Sequence, residues 1–452
     1  MRFWSRSPAM IPWLALAIAT PVPASAPGLT PETRRDVIDH LDRLLDDLYV
    51  IPETADAMIA RLDADLSAGR FDTETEPAHF AETLTRLLQD LSGDIHLRVS
   101  WNDPSGEAPV ATPEPRRVVR RVPGSGATPR GLDEIEPFPR AEVLPGNVAC
   151  VEVRLFSPGD HAQDAAARVM ETIADADAVV FDLRRCMGGA PDMVHFITSY
   201  LYGPEPRHLL TYYHAQEAPD SAYTLAAVPG RRRPEIPVFI VTSGFTASGG
   251  EEFTYVLQQH GRATVVGERT VGAGHGGGVH AVAANFEAFI PDFRPVHPVT
   301  GRGWESVGVQ PDLEAPADRA LDVAVREALL EIQRRHPERA PALADEIAQR
   351  DAAIERASAP VDVAKLREFA GDYGIRTIRL REDGLTIQRQ GGPELRLAPA
   401  DAPDAFTVAV VPDSRLEFRR DVSGQVTEVH VRTMTGDWEV SRREGEAPGP
   451  EK

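Results

Sequence analysis

Lysine is almost missing from this chain. Of 48 basic residues in 452 positions, only Lys365 and Lys452 are lysines; the rest are arginine. A reaction that needs an ε-amino group must find it at one of those two places, both in the last quarter of the sequence. Positive charge is scarce overall, with a formal net charge of −21. No basic face is available to neutralise phosphates, so nucleic acid is excluded as a partner. Cysteine is limited to Cys150 and Cys186. Each falls in or beside an expected buried strand, and a disulfide or two free thiols are both compatible with that. A long unbroken apolar run is also lacking. The first segment, MRFWSRSPAMIPWLALAIATPVPASAPG, is interrupted by Pro12, Pro21 and Pro23, which makes a poor membrane span.

That segment instead has two arginines, an apolar centre and small residues, the pattern of a secretory signal peptide cleaved near Ala24–Ala26. The expectation is an exported, periplasmic or extracellular protein, touching a membrane only if the leader stays uncleaved. Residues 27–92 read as a helical domain: TPETRRDVIDHLDRLLDDLYV opens with a capping threonine and a proline, then spaces apolar residues helically. Over 93–335 strands and helices alternate. NVACVEVRLF, AVVFDLR, IPVFIVT and ATVVG are short apolar runs separated by amphipathic helices, which predicts an α/β core with strands covered on both faces. A helical linker over 336–360, an antiparallel β module over 361–445 and a disordered tail over 446–452 complete the division.

Three stretches could carry chemistry. In TASGGEEF, residues 246–253, Ser248 stands where a buried strand turns into a helix. Backbone N–H groups and the helix dipole converge there. An ordinary helix cap explains the same residues. DLRRCMGGAPDM, residues 182–193, ends another strand in Gly188 and Gly189, and such a turn can aim N–H groups at a developing oxyanion or simply serve as a tight connection. GDIHLRV places His96 at the junction of the helices and the first strand; an isolated histidine is more often structural. HGGGVH holds two histidines without a carboxylate at ligand spacing, so no metal and no other cofactor is expected.

Together these stretches, with GWESVGVQPDLEAPADRALDVAV, resemble the tail-specific (C-terminal processing) protease family. The likeness is nearest to its branch containing the tricorn core and the interphotoreceptor retinoid-binding protein modules. It covers residues 30 to about 330 and implies a crotonase/ClpP-like αβ core and serine peptidase activity on peptides or unfolded proteins. It places the nucleophile at Ser248, the oxyanion donors at Gly249 with Gly188 or Gly189, the general base at His96 and the acidic member at Glu305. Gly249 replaces the alanine usual in the family, and Ile95 stands where the tricorn pattern has serine. The route from Glu305 to His96 is therefore direct, through Asp94 or Ser92, or missing.

The processing branch pairs serine with lysine, but the corresponding stretch, VGAGHGG, has Ala273 and no lysine. A serine–lysine dyad is thus excluded in the α/β region. A nucleophilic serine near neutral pH needs a proton acceptor, and imidazole is the natural one. His96 comes first by position, with His275 the second candidate. The competing reading is a module that keeps the fold and binds apolar ligands or peptides without cleaving them.

Overall fold

The computed structural model describes residues 29–102, 135–357 and 363–444, apart from 383, 390, 391, 393, 401, 403 and 433–437. The expected leader, most of the 103–140 connection and the 446–452 tail lie outside the described residues.

Three helices come first: α1 (Pro31–Leu48), α2 (Pro52–Ser67) and α3 (Pro77–Ser92). Each has proline in its first turn, where no N–H is needed. Thr30 caps α1 by accepting the Thr33 N–H, and Gly93 stops α3 at φ 70°. Their apolar faces bury Val37, Leu41, Met58, Leu62, Phe80 and Leu84. The same core continues into Leu97, Phe286, Ala288 and Ile290, so the helices cover a sheet rather than forming an island.

Chain order then gives β1 (Arg98–Trp101), β2 (Arg140–Leu144), β3 (Val148–Glu152), α4 (Asp160–Thr172), β4 (Ala178–Asp182) and α5 (Pro191–Ser199). Next come β5 (His208–His214), β6 (Asp220–Tyr223), β7 (Val238–Thr242), α6 (Gly249–Gln259), β8 (Thr264–Gly267) and β9 (Gly276–Ala281). The α/β part closes with β10 (Phe286–Val296), β11 (Leu313–Glu314), α7 (Ala320–Arg335) and α8 (Ala340–Ala357).

The central sheet runs β11-β8-β7-β4-β3-β2. All neighbours are parallel except β2, which pairs antiparallel at the edge. Every residue of β3, β4 and β7 is buried. One face packs on α4, α5 and α6 through Met170, Met193, Phe196 and Phe253, and the other on α7 through Ala324, Ala328 and Leu329. Coverage on both faces is why these strands read as continuous apolar runs.

A second, antiparallel sheet orders β1-β10-β5-β6, with β9 also on β10. Sequence reasoning finds only β1 of it. β9 is the glycine-rich GGGVHA, and β10 contains Pro291 and Pro295, both contrary to a strand pattern. Glycine is required by contact: a Cβ on Gly276 would sit 2.0 Å from the Phe293 ring, and one on Gly277 2.0 Å from the Ile290 carbonyl oxygen.

The C-terminal module is eight consecutive antiparallel strands, from Gly371–Tyr373 to Trp438–Arg442. It meets the α/β core through Ala317 and Phe245, and through an ion pair of Arg396 with Asp318 at 3.5 Å. The architecture is therefore the α/β core with N-terminal helices and a small β module that the sequence implied. Cys150 and Cys186 are buried free thiols. Burial pushes both up to about 12, so they are packing residues. No helix among the described residues is long and apolar enough to cross a membrane.

Candidate active site

Ser248 sits at the carboxyl end of the parallel sheet, on the turn from β7 to α6, where open α/β sheets bind ligands. Its backbone has φ 51° and ψ −121°. A non-glycine residue held there costs about 1–3 kcal/mol, and such conformations cluster at working sites. The restraint is visible. The Ser248 N–H donates to Glu251 Oε2 at 2.9 Å, while its carbonyl accepts the N–H groups of Glu251 and Glu252. Glu251 also accepts from the Thr270 hydroxyl and from the N–H groups of Gly272 and Ala273. One fully buried carboxylate thus ties the serine turn to the 270–273 loop. Burial pushes Glu251 up to about 7 in spite of these donors.

The glycine turn after β4 lies directly against the serine turn. A Cβ on Gly188 would come 2.6 Å from Ser248 Cβ, and one on Gly189 2.3 Å from the Phe156 carbonyl oxygen. With φ of 106° and 126°, both positions call for glycine. Gly189 forms a parallel bridge with Phe156, in which Phe156 N–H donates to Gly188 and Ala190 N–H donates to Phe156. That pattern leaves the Gly189 N–H facing away from Phe156. Gly249 is the first residue of α6, so its N–H has no partner within the helix. Gly189 and Gly249 both line the cavity that Ser248 lines; Gly188 does not.

The cavity holds about 240 Å³ and has apolar walls that include Met187, Phe289, Phe293 and Trp304. Two histidines complete it: His96, ahead of β1, and His275, ahead of β9. His96 is stacked on Phe289, with ring centroids 5.8 Å apart, and its backbone N–H donates to Asp94 Oδ1 at 3.0 Å. Its Nδ1 is buried without a hydrogen-bond partner. Burial lowers the pKa of His96 from the ordinary histidine value, the nearby Asp94 charge notwithstanding.

His275 is held differently. Its Nδ1 lies 2.8 Å from Asp94 Oδ2, and its backbone N–H donates to Glu305 Oε2 at 2.8 Å. Asp94 is buried and also accepts the Tyr49 hydroxyl at 3.3 Å, so the residue that ends α1 reaches into the site. Burial works against charge on Asp94, yet the His275 bond and both nearby imidazoles hold its carboxyl below the usual range. Glu305 responds oppositely: burial and the Asp94 charge raise it.

Glu305 does not meet His96. Its carboxylate accepts the Gly274 and His275 N–H groups and stands 3.9 Å from His275 Nδ1. Asp94 reaches only the His96 backbone N–H, so among the described residues no hydrogen-bonded relay runs from Glu305 to the His96 imidazole. Asp94, His275 and Glu305 each bring a possible metal-ligand atom within 4.8 Å of the others. Ligand spacing in the sequence does not point to this trio, because its members are far apart in the chain. In the structure both carboxylates accept N–H or O–H donors, a hydrogen-bond network that needs no ion. Glu251 and Glu252 are further residues of the site that sequence reasoning misses; the pair EE inside the first turn of a helix is the one available signal.

Two family models match the chain. Residues 147–315 match peptidase family S41, and residues 30–139 match the N-terminal domain of that family in eukaryotic IRBP. Among solved structures, the photosystem II D1 C-terminal processing protease is 15% identical over 64% of this chain and 94% of its own, with a TM-score of 0.42. A lipoprotein from Streptococcus agalactiae is 14% identical over 68% and 98%, with a TM-score of 0.45. The tricorn protease is 13% identical over 67% of this chain and 37% of its own, with a TM-score of 0.45. With its αβ core, its helical N-terminal part and both family models in register along the chain, the protein belongs to peptidase family S41 and is a serine-type peptidase.

Proposed function

We propose that Ser248 is the nucleophile of this peptidase and His96 its general base. One observation carries the reading: the serine, two backbone N–H groups without helical or bridge partners and two imidazoles line a single cavity. Ser248 Oγ attacks the peptide carbonyl as His96 takes its proton. The N–H groups of Gly189 and Gly249 hold the oxyanion, each worth a few kcal/mol in a dry site. Protonated His96 then delivers the proton to the leaving amine, and water hydrolyses the acyl-enzyme by the same route. Asp94 fixes the backbone at His96 and, with His275 and Glu305, supplies the electrostatic support.

A second reading has its own observation. His275 is the imidazole whose Nδ1 already meets a carboxylate, Asp94; this bond fixes the tautomer that leaves Nε2 free to accept a proton. Labelling with a fluorophosphonate probe decides among these. Wild type is expected to react, and Ser248→Ala is not; equal labelling of both removes Ser248 from the mechanism. His96→Ala should abolish labelling while His275→Ala slows it. The reverse ranking assigns the base to His275.

Export belongs to the same proposal. The leader-like opening of the sequence supports a periplasmic or extracellular site of action on peptides or unfolded proteins. Expression in a bacterial host, with the N-terminus of the secreted product sequenced, tests it. An intact Met1 in the cytosolic fraction would refute it.

A further inference from the structure

Glu252 has no part in the chemistry above, yet it lines the same cavity and is 4% exposed. It follows Ser248 by four residues at the start of α6. A rise of 1.5 Å per residue therefore puts it about 6 Å further along the same helix face. Its Oε1 accepts the Tyr212 hydroxyl at 2.9 Å and lies 2.9 Å from His195 Nε2. The two partners are 3.0 Å from each other. Tyr212 comes from β5 and His195 from α5, so two elements besides its own α6 fix one carboxylate oxygen. Its other oxygen, Oε2, meets no donor among the described residues. The neighbouring Glu251 makes the contrast: four donors saturate it.

The cavity offers this carboxylate no guanidinium or ammonium partner. Of the residues lining the cavity, only Glu252, His96 and His275 carry acidic or imidazole side chains, and none is arginine or lysine. Burial and the Glu252 charge raise the Tyr212 hydroxyl well above its ordinary range, with Asp192 and Asp220 adding in the same direction. Tyr212 is therefore a donor that stays protonated. The same cavity is lined by Phe289, Phe293 and Trp304, and aromatic ring faces attract cations.

We propose that Glu252 makes this cavity a subsite for a cationic group of the substrate. The cation is a lysine or arginine side chain, or a free N-terminal ammonium, next to the bond that Ser248 attacks. The inference rests on the peptidase reading of the cavity and adds the chemistry of its substrate. A bound cation supplies the donors that Oε2 lacks, whereas an uncharged isostere buries that oxygen unpaired and is rejected. The Tyr212 and His195 bonds hold the carboxylate in place beforehand, so little ordering is lost on binding.

The test measures binding in Ser248→Ala, where turnover does not interfere. Calorimetry would compare three peptides: acetyl-Ala-Ala-Arg-Ala-Ala-amide, its norleucine counterpart, and the norleucine peptide with a free N-terminus. At least one cationic peptide should bind tenfold or more tightly than the acetylated norleucine peptide. Preference for the arginine peptide identifies a side-chain subsite; preference for the free amine identifies an N-terminal one. Adding Glu252→Gln should reduce either preference to less than twofold. Equal affinities, no binding at millimolar peptide, or a preference that survives Glu252→Gln each overturn the inference. The first two of these outcomes are read from Ser248→Ala alone and stand even where the double variant does not fold. Full hydrolysis by Ser248→Ala would instead sink the proposed serine mechanism, and the cationic preference would then be read as ratios of kcat/KM among the three peptides.

Discussion

The wall of the cavity that carries Ser248 and the wall that carries the two histidines are built in different ways. The first comes from the ends of neighbouring parallel strands, β4 and β7, with every strand residue buried. Backbone geometry does the positioning: positive φ at Gly188, Gly189 and Ser248, and N–H groups aimed by a helix start and a bridge. The second wall comes from chain segments that lead into β1 and β9, two strands flanking β10. There the positioning is by side chains: Asp94, Glu305, Tyr49 and the ring of Phe289. A backbone-made wall tolerates few substitutions and leans on a single buried carboxyl group, Glu251. A side-chain wall depends on protonation and on contacts between distant parts of the sequence.

The largest effect should come from the first wall. Ser248→Ala is expected to lower kcat by about 10³-fold or more with an unchanged melting temperature, read by peptide hydrolysis alongside thermal denaturation. A variant that melts much earlier would show that the serine is a structural cap. Gly189→Ala should follow. Its new Cβ meets the Phe156 carbonyl at 2.3 Å and φ is 126°. Activity should fall by about 10²-fold, accompanied by a loss of several kcal/mol in urea unfolding.

Asp94→Asn probes the second wall, with an expected loss of about tenfold to 10³-fold in kcat/KM. Its stability effect has a definite pH sign. The folded pKa of Asp94 lies below 3.8, so the charged carboxylate stabilises the protein above that value, and the contribution is lost as pH falls through the folded pKa. Wild type and variant should therefore differ most near pH 7 and converge below about pH 3.8. A gap that widens in acid contradicts the assignment.

Glu251→Gln acts on the joint between the serine turn and the 270–273 loop. An amide NH₂ set against N–H donors should cost about 1–3 kcal/mol. Here the pKa is raised, from 4.5 to about 7, so the native wild-type fold loses stability as pH climbs through that window while the variant does not. The difference between them should shrink between about pH 5 and pH 7 in urea titrations. The smallest effect belongs to Arg396→Ala at the edge of the β module. Its 3.5 Å pair with Asp318 is partly exposed and should contribute no more than about 1 kcal/mol to unfolding, with peptide turnover unchanged.

The first wall is legible in the sequence because its signals are local. Apolar runs ending in MGG and TASGG mark strand-to-helix turns, and the resemblance then assigns roles to Ser248, Gly249 and Gly188 or Gly189 on them. The second wall is legible only in part. His96 and Glu305 come from resemblance, and the partner of Glu305 proves to be His275 rather than His96. Nothing local ties residue 94 to residue 275. Their meeting depends on β10, whose prolines and glycine-rich neighbour hide it from a period-2 pattern. Glu252, signalled only by the EE pair, has a role hidden for another reason. Its partners, His195 and Tyr212, are chosen by the packing of α5 and β5 on α6, a tertiary matter.

The bond from Tyr49 to Asp94 has a consequence for biosynthesis. Ser248 and the proposed amide donors are drawn from the middle of the polypeptide, whereas the wall with the two histidines draws on both the opening helices and a strand made later. A chain cut short before that strand would lack the partner against which β1 and β9, and with them His96 and His275, are placed. On the proposed mechanism, both ends of the domain must be gathered around β10 before the serine and its base share one cavity.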